Sequence, residues 1–303
     1  MIREWLNLQA YRSHEMLVAP ARGTEQLWRL VMGVILIAGV VLLISQFVNQ
    51  TLVTLLGNSG YASLIGADGG STPFAVLYLL TSFGFLTLGV VVALRVAHQR
   101  GFAALLGDWT LLRQQFVAVL SMMILINICI MLLPPWSGGL PIEPNIAPGT
   151  WAVLVPFALI AILVQVSAEE IVFRGYLQQQ LAARFASPLI WLGVPSALFG
   201  IGHYMPQAAG ENAFMLAVWA GCFGLVMADI TARAGTLGPA IAIHLSHNAV
   251  AILFVSIQDE LSGLALYTVT IDLADTDAVS GMFPIEFMMI FVSWLGARLA
   301  IRR

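Results

Sequence analysis

Three observations predict an all-α polytopic membrane bundle of about eight transmembrane helices, with both termini cytoplasmic. The chain has 303 residues, of which 59% are hydrophobic and only 10% charged, whereas soluble domains carry about 25% charged residues. A water-soluble fold of this composition would have more apolar surface than it could bury. Apolar runs long enough to cross a ~30 Å hydrocarbon core, roughly 20 residues, recur along the chain. The basic residues, all thirteen of them arginines, fall in alternate connecting segments.

Residues 1–29 form a polar cytoplasmic segment carrying Arg3, Arg12, Arg22 and Arg29. The apolar run that follows is long enough to stay as a membrane helix, and no cleavable signal peptide is expected. Spans are expected at about 30–49, 74–95, 115–134, 151–172, 188–204, 213–232, 237–257 and 284–300, the fourth continuing as an amphipathic extension to Arg184. Pro and Gly clusters separate them: GNSG at 57–60, ADGGSTP at 67–73, PPWSGGLP at 134–141 and ASP at 186–188. Residues 96–114 are expected to form an interfacial cytoplasmic helix, apolar on one side.

Arg95, Arg100, Arg113, Arg184, Arg233, Arg298, Arg302 and Arg303 mark the cytoplasmic side. The alternate loops at 50–73, 135–150, 205–212 and 258–283 contain no arginine, and hold Asp68, Glu143, Glu211, Asp259, Glu260, Asp272, Asp275 and Asp277 instead. By the positive-inside rule this distribution fixes the orientation. The expected organisation is then a three-span scaffold over 30–149, a catalytic helical core over 150–257, an extracytoplasmic acidic loop over 258–283, and a final span with its tail over 284–303. Cys129 and Cys222 lie inside apolar runs and read as small buried hydrophobes, with no disulfide framework or metal-binding CxxC pair.

Function is expected where ionised groups sit at bilayer depth, because placing them there costs several kcal/mol and such residues usually line a cavity. Residues 165–178, QVSAEEIVFRGYLQ, set Glu169, Glu170 and Arg174 at the foot of the fourth apolar run. His203, His244, His247, Asn248 and Asp229 supply most of the other strong polar groups in spans four to seven, while the first three spans hold little beyond Asn127. Glu170 and Arg174 are four residues apart and share a helix face, so they can pair. Glu169 points about 100° away from Glu170 and is freer to meet water or a substrate. His244 and Asn248 have the same spacing, as do Phe199 and His203.

Antiparallel packing about the turn near 185–188 brings Glu169 and His203 to matching height, each about 22 Å from that turn. His244 lies only roughly 11 Å beyond its own turn, so meeting them requires tilt or a projecting cytoplasmic turn. A glutamate and a histidine can hold and deprotonate a water, and a second histidine with an asparagine amide can serve a developing oxyanion. Glu169, His203 and His244 could equally hold Zn²⁺ with water in the fourth position, and the same groups could form a proton relay in a transporter or a non-catalytic binding scaffold. Asp229 with Arg233 reads as a helix-end ion pair, and His247 as packing. The HExxH motif, a GxSxG-like serine elbow and a GxGD aspartate motif are absent from the sequence.

The three signatures EEIVFR at 169–174, FGIGH at 199–203 and HLSHN at 244–248 resemble, in that order, the EExxxR, FxxxH and HxxxN motifs of the CPBP intramembrane proteases (the CAAX prenyl protease 2 and lysostaphin-resistance-protein-A-like group). The resemblance covers roughly residues 150–255. It implies that Glu169 is the essential base, that Glu170 and Arg174 support it, that His203 helps hold the attacking water, and that His244 and Asn248 stabilise the oxyanion. The family's proteases are described both as metalloproteases and as glutamate-dependent without a catalytic metal. The resemblance implies an endopeptidase acting on a membrane-associated protein or peptide. Its expected setting is the lipid bilayer of a bacterial cytoplasmic membrane, with no nucleic-acid partner.

Overall fold

In the computed structural model the described residues are 8–66, 70–133, 141–258 and 260–302. Arg3, Asp68, Asp259, Arg303 and most of the PPWSGGLP cluster lie outside them. Eight helices dominate: α1 (Leu27–Ile65), α2 (Pro73–His98), α3 (Trp109–Met131), α4 (Pro148–Arg184), α5 (Pro188–Gly202), α6 (Ala213–Ala234), α7 (Gly238–Leu253) and α8 (Phe283–Ile301). Among the described residues, six helices are long and apolar enough to cross a membrane, one of them being the run Pro206–Ala234 that ends in α6. The chain is an integral multi-pass membrane protein. Helices α5 and α7, at the positions of the expected fifth and seventh spans, have only 15 and 16 residues. At 1.5 Å per residue each reaches about 22–24 Å, so of the eight expected spans length and composition support six.

Four further expectations change. Cys129 and Cys222, expected as small buried hydrophobes, are both exposed. Helix α1 does not end near residue 49 but runs to Ile65, broken at Gly57, whose φ of 69° is one that glycine adopts without a Cβ penalty. Residues 96–114 form no single interfacial helix: α2 ends in a π-helical stretch, Leu94–His98, and Gln99 turns left-handed. A short 3₁₀ turn then covers Phe102–Leu105, and α3 starts at Trp109, capped by Asp108. The loop 258–283 is partly structured, with a strand and a short helix over Thr276–Ser280. That strand, β3 (Tyr267–Val269), is the middle of a small sheet, antiparallel to β1 (Ile142–Pro144) and parallel to β2 (Val255–Ile257). The sheet caps the junction of α4 and α7, where Trp151 Nε1 donates to Leu253 O at 2.7 Å.

Helix α7 is the hub. Ile241, Leu245 and Ile252 pack into one core with α1, α2 and α4, while Ala240, Ala242 and Ile243 pack into another with α3, α5, α6 and α8. Every residue from Gly238 to Ser246 is buried, as expected of a helix apolar on all sides. Helix α4 is two-faced: Val153, Phe157 and Ile160 are exposed to the surroundings, whereas Ala158, Ala161, Ile162, Gln165, Val166 and Glu169 turn inward. Small residues bring α5 and α6 close, with a Cβ at Gly200 destined to stand 2.5 Å from Ala217 O.

The N-terminal segment docks against one end of this bundle, burying Leu17, Val18 and Ala21. Tyr11 Oη donates to Asp229 Oδ1 at 2.7 Å, and Asp229 Oδ2 accepts from Arg233 Nε at 2.7 Å and Trp294 Nε1 at 2.8 Å. The expected Asp229–Arg233 pair is therefore present within a larger node. His14 lies against the Trp191 ring and beside Gln178 Nε2. Burial pushes its imidazole down to about 4, the Glu15 carboxylate acting in the opposite direction.

Candidate active site

The site is built on α4, α5, α6 and α7. Helix α4 passes into a π-helical stretch at Ile171–Leu177, directly after Glu170; such stretches interrupt α-helices frequently at functional sites. Arg174, within it, is wholly buried and doubly bound: Nη1 donates to Glu170 Oε1 at 3.0 Å and Nη2 to Gly224 O at 3.0 Å. Its guanidinium carbon stands 4.9 Å from the Phe199 ring centroid, a cation–π arrangement in a desolvated setting. Gly224 suits this role because a Cβ there would meet Ser196 Cα at 3.1 Å, and α6 could not approach so closely.

Glu170 Oε1 is shared. Besides the Arg174 guanidinium it faces His244 Nδ1 at 2.8 Å. The other nitrogen of that ring, Nε2, lies 3.4 Å from Glu169 Oε2. That contact lacks hydrogen-bond geometry, and Glu169 Oε2, like Glu170 Oε2, is buried with no hydrogen-bond partner in the protein. Leaving a buried acceptor unsatisfied costs about 1–3 kcal/mol, and such atoms recur where catalysis needs them. Phe223 closes the other side of His244, its ring centroid 5.1 Å away.

Despite the height mismatch anticipated for His244, the structure brings it level with Glu170. Beyond Glu170, α4 runs alongside α6, with Arg174 on Gly224 O and Gln178 Nε2 donating to Ala228 O at 3.0 Å, and Gln179 Nε2 donates to Leu105 O at 2.8 Å.

Asn248, one turn beyond His244, donates through Nδ2 to Gln165 Oε1 at 2.8 Å. His203 ends α5. Its Nδ1 pairs with Phe199 O at 2.8 Å, and its ring tilts over Phe199 at 4.5 Å, the same ring that stands 6.1 Å from His244. His203 is thus one aromatic ring away from His244 and makes no hydrogen bond or ion pair with Glu169. His247 turns aside, with Nε2 3.0 Å from Ser293 Oγ on α8.

His244 Nδ1 faces Glu170 and His203 Nδ1 pairs with a carbonyl. No three His, Cys, Asp or Glu side chains among the described residues gather at ligand spacing. Sequence reasoning passed over Gln165 and Gly224. Gln165, an amide inside an apolar run one turn before Glu169, carried a signal by its polarity; Gly224 acts through its carbonyl and carried none.

Residues 151–250 match the family model described as "Type II CAAX prenyl endopeptidase Rce1-like". The chain is also similar to "Uncharacterized protein YyaK" of Bacillus subtilis (strain 168), with 26% identity over 266 residues, covering 84% of this chain and 87% of that one. No solved structure matches significantly.

Proposed function

We propose, on the premise that residues 151–250 are an Rce1-like domain of the CPBP intramembrane protease type, that this protein is an intramembrane endopeptidase with Glu169 as its general base. Its substrate would be a membrane-associated protein or peptide, the family description naming a CAAX prenyl endopeptidase. The observation that carries this reading is Glu169 Oε2, buried, without a hydrogen-bond partner, and 3.4 Å from an imidazole fixed on its far side by Glu170.

The proposed chemistry runs through the chain's own residues. Glu169 removes a proton from a water as that water's oxygen attacks the scissile carbonyl. The Nδ1–H of His203, donated to Phe199 O, leaves Nε2 as the acceptor nitrogen, suited to hold the water's second hydrogen. An Asn248 N–H, with His244 at the rim, faces the developing oxyanion. As the C–N bond breaks, the proton held by Glu169 passes to the departing amine. Glu170 and Arg174 act by fixing His244. No three ligand side chains gather at metal spacing among the described residues, and no step is assigned to a metal.

The test compares membrane peptides from cells producing the wild type with those from cells producing Glu169→Ala. Fragments made only by the wild type are expected, and purified Glu169→Ala, folded but inactive on the same peptides, completes the case. Full cleavage by the variant overturns the assignment and returns the polar cluster to a transport or binding role. Metal analysis of purified enzyme, with chelator treatment, separates the two mechanistic classes; the expected result is cleavage undiminished after chelation.

A further inference from the structure

We infer that Gln165 is a positioning residue for this site, acting through Asn248; the inference rests on the endopeptidase reading above. Helices α4 and α7 run in opposite directions, so their polar residues meet as rungs. The lower rung joins Glu169 and Glu170 to His244. The upper rung joins Gln165, four residues before Glu169, to Asn248, four residues after His244, at 2.8 Å. Four residues rise about 6 Å along a helix, so the amide pair stands one turn from the reacting carboxylate on both helices at once.

Gln165 is only 6% exposed, and apart from Glu169 its helix neighbours on the inward face are alanine, isoleucine and valine. A primary amide there forgoes the favourable transfer of an aliphatic side chain and needs a hydrogen bond to offset its desolvation. Among the described residues its hydrogen-bond partner is Asn248.

The terminal torsion of an asparagine is broad and roughly two-fold, so an amide left to itself samples many planes. Gln165 Oε1 accepts one of the two Nδ2 hydrogens, which fixes that plane and leaves the second hydrogen directed by the geometry of the first. A donor serves an oxyanion only when it is aimed before the charge develops. Gln165 supplies that aim and touches neither water nor substrate.

The probe is the peptide whose release depends on Glu169 in the comparison above, assayed with purified enzyme in proteoliposomes. Gln165→Met keeps length and volume and removes the acceptor. Its kcat is expected to fall about tenfold to a hundredfold, with KM within about twofold of wild type. In an Asn248→Ala background the same substitution is expected to change kcat by less than about twofold, because the group it orients is gone. Gln165→Leu serves the same comparison if the methionine variant does not fold. An unimpaired Gln165→Met enzyme, or an equal loss in both backgrounds, overturns the inference. Glu169→Ala is assayed alongside. If it is inactive while Gln165→Met is unimpaired, only the present inference fails; if Glu169→Ala cleaves normally, the endopeptidase reading itself fails.

Discussion

His244 and Glu170 meet through Nδ1 and Oε1 at 2.8 Å, on the same carboxylate oxygen that accepts from Arg174 at 3.0 Å. One wholly buried oxygen thus joins α4 to α7 and neutralises a buried guanidinium. The two adjacent glutamates therefore differ in what their loss does. Glu170→Ala strands Arg174 without its carboxylate, and uncompensated buried charge of this kind costs about 3–5 kcal/mol. Thermal unfolding in detergent should show a clear loss of stability together with loss of cleavage. Glu169→Ala should unfold close to wild type and lose cleavage alone; equal destabilisation by both would contradict the division of labour.

Arg174 makes two bonds at once, to Glu170 and to Gly224 O. A lysine ammonium is a point charge without the planar fork and cannot reproduce both. Arg174→Lys should lose about 1.5–3 kcal/mol, the worth of a hydrogen bond to a charged group, and lower kcat through a loosened His244. A variant indistinguishable from wild type in both unfolding and rate would show the second bond to be dispensable.

His14 makes attachment of the N-terminal segment depend on pH. Its imidazole is held down to about 4 from an ordinary 6.5, so the undocked segment binds a proton that the docked one excludes. Docking is fully favoured above pH 6.5 and weakens as pH falls towards 4, by up to about 3 kcal/mol from the shift. Limited proteolysis at Arg12 and Arg22, followed from neutral pH downward, should accelerate over that window, and His14→Phe should remove the acceleration.

Close approach of α5 to α6 is a fourth sensitive point. A methyl at Gly200 would stand 2.5 Å from Ala217 O and 3.2 Å from Gly221 Cα. Overpacking typically costs about 1–3 kcal/mol, and here it would also displace His203 at the end of the same helix. Gly200→Ala should lower both unfolding temperature and kcat. Gly193→Ala, where a methyl meets nothing within 4 Å, should be neutral or gain up to about 1 kcal/mol from helix propensity.

The parts of this molecule that sequence made legible are those with a helical period or a high transfer cost. Apolar runs located the six helices long enough to cross a membrane, and the four-residue spacing of Glu170 and Arg174 foretold their pair. What escaped depends on contacts between distant segments. Nothing local marks Tyr11 as the partner of Asp229, 218 residues away, or the carbonyl of Gly224 as a ligand for Arg174. The strand Tyr267–Val269 pairs with two three-residue segments whose patterns are too short to announce themselves. The shortness of α5, by contrast, was legible, the expected span at 188–204 ending within two residues of Gly202.

The node at Asp229 has a consequence for how the molecule is made. Tyr11 leaves the ribosome 218 residues before its acceptor, and Trp294 follows that acceptor by another 65. Synthesis proceeds at about 5–20 residues per second, so Tyr11 spends most of elongation without its acceptor. The node is complete only once Trp294 has followed Asp229 into place, which makes it a marker of finished assembly.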